Sequence, residues 1–135
     1  MKNKRILIIN FTEGYRQIRL ALEEEGYIVD ILCPSDIHIE INPNNYCILF
    51  LIVVEGDMAV FKMARAIRNS GSYQNMPIIF LSDSNNETNR LTAFSAGADD
   101  YISKPFYPRE IVARTQVMLK RIQLPENTTN KPTAL

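Results

Sequence analysis

The sequence contains little of what several classes of function require. Its two cysteines, Cys33 and Cys47, have the spacing of neither a metal site nor a CxxC motif, so we expect two reduced thiols in the core. The single histidine, His38, lies in an irregular segment, and no nucleophile with an adjacent base is evident. An independent enzyme, or a metal site built on these residues, is therefore not expected.

Neither an excess of one charge nor a long apolar run is present. Lys and Arg together number 15, as do Asp and Glu, which gives no general attraction to nucleic acid or to an anionic membrane. No apolar run approaches the ~20 residues that cross a bilayer. The apolar run at residues 6–9 is also too short for a signal peptide. We therefore expect a cytoplasmic protein.

What the chain does contain is a series of short apolar segments separated by segments of helical period. Continuous rather than alternating hydrophobicity is typical of strands buried on both faces of a parallel sheet. Five such segments are present, at residues 6–9, 27–32, 47–54, 78–81 and 101–102. The predicted fold class is α/β, a doubly wound flavodoxin-like sheet of five parallel strands in three layers, with helices on both faces.

The predicted helices follow from their start and stop signals. They cover residues 13–25, 59–69, a segment opened by a capping box at residues 84–87, and a last helix with Pro108 in its first turn. Residues 34–45 alternate like a strand where a crossover is needed, so a short or irregular second helix is predicted there. The domain should span residues 1–122, followed by a flexible tail or linker at 123–135.

Sheets of this kind place ligand chemistry at the carboxyl ends of their strands. The residues at those ends are Asn10, Phe11, Ile52, Ser82 and Lys104. The most specific motif surrounds the last of them, where GADDYISKPF at residues 97–106 is followed by PREIVAR at residues 108–114.

This motif resembles the receiver domains of bacterial response regulators (CheY-like), and within them the OmpR-like, winged-helix subfamily. The resemblance extends from about Lys4 to Ile122. It implies an aspartate after the third strand that accepts a phosphoryl group from a histidine kinase. It also implies an acidic pair after the first strand that binds Mg²⁺, and a Ser/Thr and a Lys that contact the phosphoryl oxygens.

Placed on this chain, the family pattern has lost its carboxylates. Ile52 falls at the acceptor position and Asn10 and Phe11 at the acidic pair, whereas Ser82 and Lys104 match the family. Tyr101 falls at the position of the switch aromatic, and Lys104-Pro105 at the family's cis peptide. The resemblance therefore implies a degenerate phosphorylation site without catalytic residues, with Mg²⁺ binding lost, in a phosphorylation-independent pseudo-receiver. Tyr101 would be fixed in one orientation, which the sequence does not specify.

Two alternatives remain open at this level. The domain could be phosphorylated at an unusual acceptor, Glu55 or Asp57. Glu13 could be a lone acidic remnant near the first strand, but it is better explained as the start of the first helix. It could instead be a binding module that holds a small molecule or a protein in the cleft near Ser82, Tyr101 and Lys104.

The resemblance also implies a homodimer. OmpR-like receivers pair through their fourth helix, fifth strand and fifth helix, with charge pairs between subunits. The matching residues are Arg90 with Glu110, Asp100 with Arg114, and Asp99 with Arg121, alongside apolar Leu91, Ile111 and Ala113. The domain would be the N-terminal part of a transcription regulator whose DNA-binding domain follows the tail. The receiver itself would bind neither nucleic acid nor a membrane.

Overall fold

The structure, a computed structural model, describes residues 3–33, 42, 45–71 and 75–123. These residues include one parallel sheet with the strand order β2-β1-β3-β4-β5. Its strands are β1 (Arg5–Ile9), β2 (Ile28–Leu32), β3 (Ile48–Ile52), β4 (Ile78–Ser82) and β5 (Asp100–Ser103). The order reverses at β1 and β3, which places a crevice at their carboxyl ends. The predicted sheet is confirmed, although β3 ends at Ile52 rather than at residue 54.

Four α-helices accompany the sheet in the described part of the chain. They are α1 (Arg16–Glu24), which follows a 3-10 turn at Glu13–Tyr15, then α2 (Ala59–Arg68), α3 (Glu87–Ser95) and α4 (Pro108–Gln123). The predicted short helix at residues 34–45 lies largely outside the described residues, as does the tail from residue 124. Helix α4 continues to Gln123, one residue beyond the predicted end of the domain.

The start of α3 differs from the prediction. The capping box at residues 84–87 predicted Ser84 as the first cap, but the N-cap is Asn86. Its side-chain oxygen accepts a hydrogen bond from the backbone N–H of Asn89 at 3.1 Å. The capping-box prediction was therefore wrong, because the side chain nearest the first helical turn takes the capping role.

Two apolar clusters lie on opposite faces of the sheet because successive strand residues point to opposite sides. On β1, Ile6 and Ile8 belong to the cluster that contains residues of α1 and α4. Leu7 and Ile9 belong to the other cluster, which contains residues of α2 and α3. Two helices thus cover each face, which makes the three layers of a doubly wound fold.

The two cysteines do not share the environment predicted for them. Cys33 is exposed and Cys47 is half-buried, so the prediction of a core position was wrong for Cys33. Cys33 directly follows the end of β2, an edge strand whose last residues are only partly buried. Burial raises the pKa of Cys47 to about 11, and this thiol is therefore protonated at neutral pH.

Candidate functional site

Asn10 joins the ends of three strands. Its backbone lies in the left-handed region, with φ of 74°, which asparagine tolerates better than most residues. Its backbone N–H donates to the carbonyl of Leu32 at 3.0 Å. Its side-chain amide donates to the carbonyl of Ile52 at 3.1 Å. Asn10 is therefore a structural link between β1, β2 and β3.

The positions next to Asn10 are apolar. Ile52, at the end of β3, is 2% exposed and belongs to the cluster beneath α1 and α4. Phe11 packs against the same cluster, and the guanidinium of Arg19 lies 5.6 Å from the centre of its ring. The side chains of Ile52 and Phe11 themselves offer a ligand neither a carboxylate nor a hydroxyl.

Ser82, at the end of β4, is buried and its hydroxyl is engaged locally. The hydroxyl donates to the carbonyl of Ser84 at 3.0 Å and accepts from the N–H of Ser84 at 3.2 Å. These bonds close a turn at the end of the strand, which agrees with a structural role for this side chain.

Lys104 meets an acidic residue that the sequence had not singled out. Its Nζ lies 3.4 Å from Oδ1 of Asp83, and the hydroxyl of Tyr15 donates to the same oxygen at 2.9 Å. Burial raises the pKa of Tyr15, and the hydrogen bond to Asp83 and its charge raise it further. The available signal was that Asp83 directly follows Ser82 at a strand end, where ligand chemistry is expected.

Tyr101 points into the protein. It is 4% exposed and packs in the cluster beneath α2 and α3. Its buried hydroxyl has no hydrogen-bond partner within the described residues, and the guanidinium of Arg90 lies 5.9 Å from its ring centre. The Lys104-Pro105 peptide bond is cis, as the motif predicted.

A cavity of about 200 Å³ opens at these strand ends. Asn10, Ile52, Ser82, Asp83 and Glu55 are among the residues that line it. Glu55 also accepts a weak hydrogen bond of 3.5 Å from the Asn89 side chain. Glu55 thus lines the same cavity as Ser82.

The remaining acidic candidates lie in local structure. Asp57 accepts a hydrogen bond of 2.9 Å from the N–H of Ala59 at the start of α2, and Glu13 begins the 3-10 turn. Among the described residues, no three His, Cys, Asp or Glu side chains are grouped so that they could hold a metal ion. Asn10 could offer at most one amide oxygen and Phe11 none, so these two side chains do not fit the acidic pair of the Mg²⁺ site that the family implies.

Six of the nine residues predicted for a dimer interface line one groove of about 490 Å³. They are Asp99, Asp100, Glu110, Ala113, Arg114 and Arg121. Several of their charges are paired inside the chain. Arg114 lies 2.8 Å from Asp100 and 2.9 Å from Glu110, and these bonds raise its pKa. Asp99 pairs with Arg68 at 2.8 Å.

The other three predicted interface residues differ in exposure. Leu91 on α3 is 62% exposed, whereas Ile111 is fully buried in the core. Ile111 therefore has no surface to offer a partner, because the stripe of α4 on which it lies faces the sheet. Arg90 lies with its guanidinium 5.7 Å from the ring of Phe94.

A five-stranded parallel sheet with two helices on each face, and with Ser82 and Lys104 at adjacent strand ends, defines a receiver-type α/β domain. The chain belongs to the response regulator receiver domain family, which residues 12–116 match. Within the described residues, no helix is both long and apolar enough to span a membrane.

Similar proteins agree with this assignment. The chain is 34% identical to the transcriptional regulatory protein YvrH of Bacillus subtilis, over 98% of this chain and 56% of that protein. It is 32% identical to the transcriptional regulatory protein SrrA of Staphylococcus aureus, over 91% of this chain and 50% of that protein. The chain thus spans about half the length of these relatives.

Solved structures share the fold. A putative response regulator from Chloroflexus aurantiacus superposes with a TM-score of 0.78 at 25% identity, over 89% of this chain and all of that one. A two-component response regulator from Clostridium difficile superposes with a TM-score of 0.75 at 26% identity, over 90% of this chain and 99% of that one.

Proposed function

We propose that this chain is a receiver domain that signals without being phosphorylated. The observation that carries the proposal is Ile52. The family pattern puts the phosphoryl acceptor at this position, and the side chain there is buried and apolar. A hydrocarbon side chain has no atom that can form an acyl phosphate. Ile52 therefore cannot accept the phosphoryl group as the family's aspartate does.

The neighbouring positions support the same conclusion. The amide nitrogen of Asn10 donates to the Ile52 carbonyl, so that side chain is committed to linking strands. Phe11 packs into the core cluster. Since Mg²⁺ requires oxygen ligands, we propose that Mg²⁺ binding has been lost and that the domain needs no cofactor.

An isoleucine at position 52, where the family has a carboxylate, also changes the stability of the site. Clustered carboxylates repel one another and favour the protonated or metal-bound state. Burial of Ile52 instead contributes about 1.5–3 kcal/mol to the free energy of unfolding. The crevice thus stabilises one conformation by packing.

We propose that the whole protein is a transcription regulator with this domain as its N-terminal regulatory and dimerisation module. The support is that the two curated relatives are named transcriptional regulatory proteins and are about twice as long as this chain. The part beyond the receiver would bind DNA in the cytoplasm. The receiver itself, with equal numbers of basic and acidic residues, would bind neither nucleic acid nor a membrane.

A second candidate function is phosphorylation at an unusual acceptor. Glu55 favours it, because this carboxylate lines the same cavity as Ser82. Asp57 is less suited, because its carboxylate already accepts a hydrogen bond at the start of α2.

Incubation with acetyl phosphate and Mg²⁺, followed by intact-mass measurement, tests the proposal. We expect no added phosphoryl group, while a receiver that retains the family's carboxylates is labelled in parallel as the positive control. A phosphoryl group on this chain would contradict the proposal. Loss of that label in Glu55→Gln would establish the second candidate instead.

A further inference from the structure

We propose that the carboxylate of Asp83 acts as a built-in anion for Lys104, in the place that a phosphoryl group takes in other receivers. The inference rests on the proposed function, because Lys104 needs a new counterion only if no acceptor carboxylate stands at Ile52. The device, here called the Asp83 latch, consists of Asp83, Lys104 and Tyr15. It replaces phosphorylation as the means of fixing the loops around the crevice.

Three separate segments converge on one carboxylate oxygen. Asp83 lies in the β4–α3 loop (residues 83–86), Lys104 begins the β5–α4 loop (residues 104–107), and Tyr15 ends the 3-10 turn before α1. Oδ1 of Asp83 accepts from the Tyr15 hydroxyl at 2.9 Å and lies 3.4 Å from Nζ of Lys104. The backbone holds the two loops in register, because the N–H of Lys104 donates to the carbonyl of Ser82 at 3.1 Å.

Tyr15 is the buried and most firmly held residue of the latch. It is 5% exposed, and its ring lies 5.3 Å from that of Phe106 in the β5–α4 loop. Tyr15 therefore contacts both loops, the β4–α3 loop through its hydroxyl and the β5–α4 loop through its ring. A buried aromatic with a single directed hydroxyl fixes the carboxylate more firmly than two flexible chains would.

The ion pair alone would be weak. The side chains of Lys104 and Asp83 are 52% and 65% exposed, and exposed pairs contribute little because water and salt screen them. The hydrogen bond from Tyr15 orders the carboxylate before Lys104 meets it, which lowers the entropic cost of pairing. The latch therefore depends on both partners of Asp83.

The other group that would contact a phosphoryl oxygen is already engaged. The Ser82 hydroxyl both donates to and accepts from the backbone of Ser84. Lys104 is paired with Asp83, and Ser82 is bonded to the backbone of Ser84. Both side chains that would contact phosphoryl oxygens thus already have partners within the chain. Since these loops lead into α3 and α4, the latch ties together the segments from which the two helices start.

The reactivity of Lys104 toward a limiting amine-acylating reagent tests the latch. Peptide mass spectrometry would give the rate at Lys104 divided by the rate at Lys62, an exposed lysine on α2. We expect Asp83→Asn to raise this ratio about threefold or more, as loss of a modest ion pair would. Tyr15→Phe, which keeps the ring against Phe106, should raise it less.

Glu55→Gln is the matched control, because it removes one carboxylate from the same cavity without touching a latch residue. It should leave the ratio unchanged. Dividing by the Lys62 rate corrects for differences in reagent concentration and reaction time between samples. Faster hydrogen exchange of residues 104–107 in Asp83→Asn is the expected second readout.

The outcomes separate the two claims. A ratio that stays the same in Asp83→Asn, or that rises equally in Glu55→Gln, overturns the latch and leaves the acetyl phosphate result standing. A phosphoryl group on the wild-type chain overturns the proposed function whatever the ratio is. A raised ratio in Asp83→Asn alone, with no phosphoryl group, supports both.

Discussion

Tyr15 connects the start of α1 to the far side of the crevice through its hydroxyl and its ring. Tyr15 was not singled out from the sequence, and nothing in the local pattern indicated a polar role. Its partner Asp83 is distant in the chain. Contacts between such distant residues depend on strand order, which local periodicity does not provide.

The titration of Tyr15 follows from these contacts. Burial, the hydrogen bond to Asp83 and the Asp83 charge all favour the protonated phenol and raise its pKa above the ordinary 10.0. We expect Asp83→Asn to lower the pKa of Tyr15, although burial keeps it above the ordinary value. Ultraviolet absorbance of tyrosinate against pH, with Tyr15→Phe as the subtraction, measures the shift.

The linked stability has a defined sign. Because the folded-state pKa of Tyr15 is raised, its contribution to the free energy of unfolding is fully present below pH 10.0 and falls as pH rises toward the folded-state value. Wild type and Tyr15→Phe should therefore differ most in stability at neutral pH. If the pKa of Tyr15 is the same in Asp83→Asn as in the wild type, the hydrogen bond between Tyr15 and Asp83 is contradicted.

For the site residues, the sequence predicted where each one lies but not which groups it contacts. The strand ends could be read from the sequence, so Asn10, Ile52 and Ser82 were expected near one another, and the structure brings them to one cavity. Their partners were not predictable, because the Asn10 amide could have pointed to solvent, to a metal or to a backbone carbonyl. Only the register of β1 beside β3 determines that it reaches Ile52.

At the level of elements, the end of α2 is held against the turn before β5. Arg68 donates to the carbonyl of Gly97 at 2.8 Å and pairs with Asp99. Gly97 has φ of 108°, and a Cβ there would come within 2.5 Å of the Arg68 side chain. The glycine thus permits both the left-handed backbone and the close approach of Arg68.

This contact affects the predicted dimer. Family matching assigned Asp99 to Arg121 of a second subunit, but within the chain Asp99 already accepts from Arg68 and from the N–H of Ile78. A partner's arginine would have to share or displace the Arg68 contact. Charged side chains on this surface would therefore set orientation, and affinity would have to come from apolar contacts.

Leu91, on the exposed face of α3, is the predicted interface residue that could make such a contact. Leu91→Glu should weaken a homodimer about tenfold or more, because a twofold interface loses the buried leucine on both sides. Leu20→Glu, on α1 and also exposed, is the matched control and should leave association unchanged. Sedimentation velocity over a range of concentrations measures both, and equal weakening in the two variants would contradict this interface.

At the scale of the whole molecule, the fold was predictable because the three central strands, β1, β3 and β4, are almost entirely apolar runs. Such runs arise when both faces of a sheet are covered. The all-buried pattern of β3 and β4 shows the effect directly. The ends of elements were less predictable. The apolar run extended the predicted β3 to residue 54, but the strand ends at Ile52, with Val53 still buried and Val54 exposed. Burial and strand pairing end at different residues.

Amide resonances of the isotope-labelled domain, followed during addition of Mg²⁺ and then beryllofluoride, test the central claim most directly. We expect no saturable shift at Asn10, Ile52 or Ser82, because one amide oxygen beside apolar side chains provides too few ligands for the ion. Saturable shifts confined to these residues and Lys104 would contradict it, since they would mean that a metal and a phosphoryl analogue bind in the crevice.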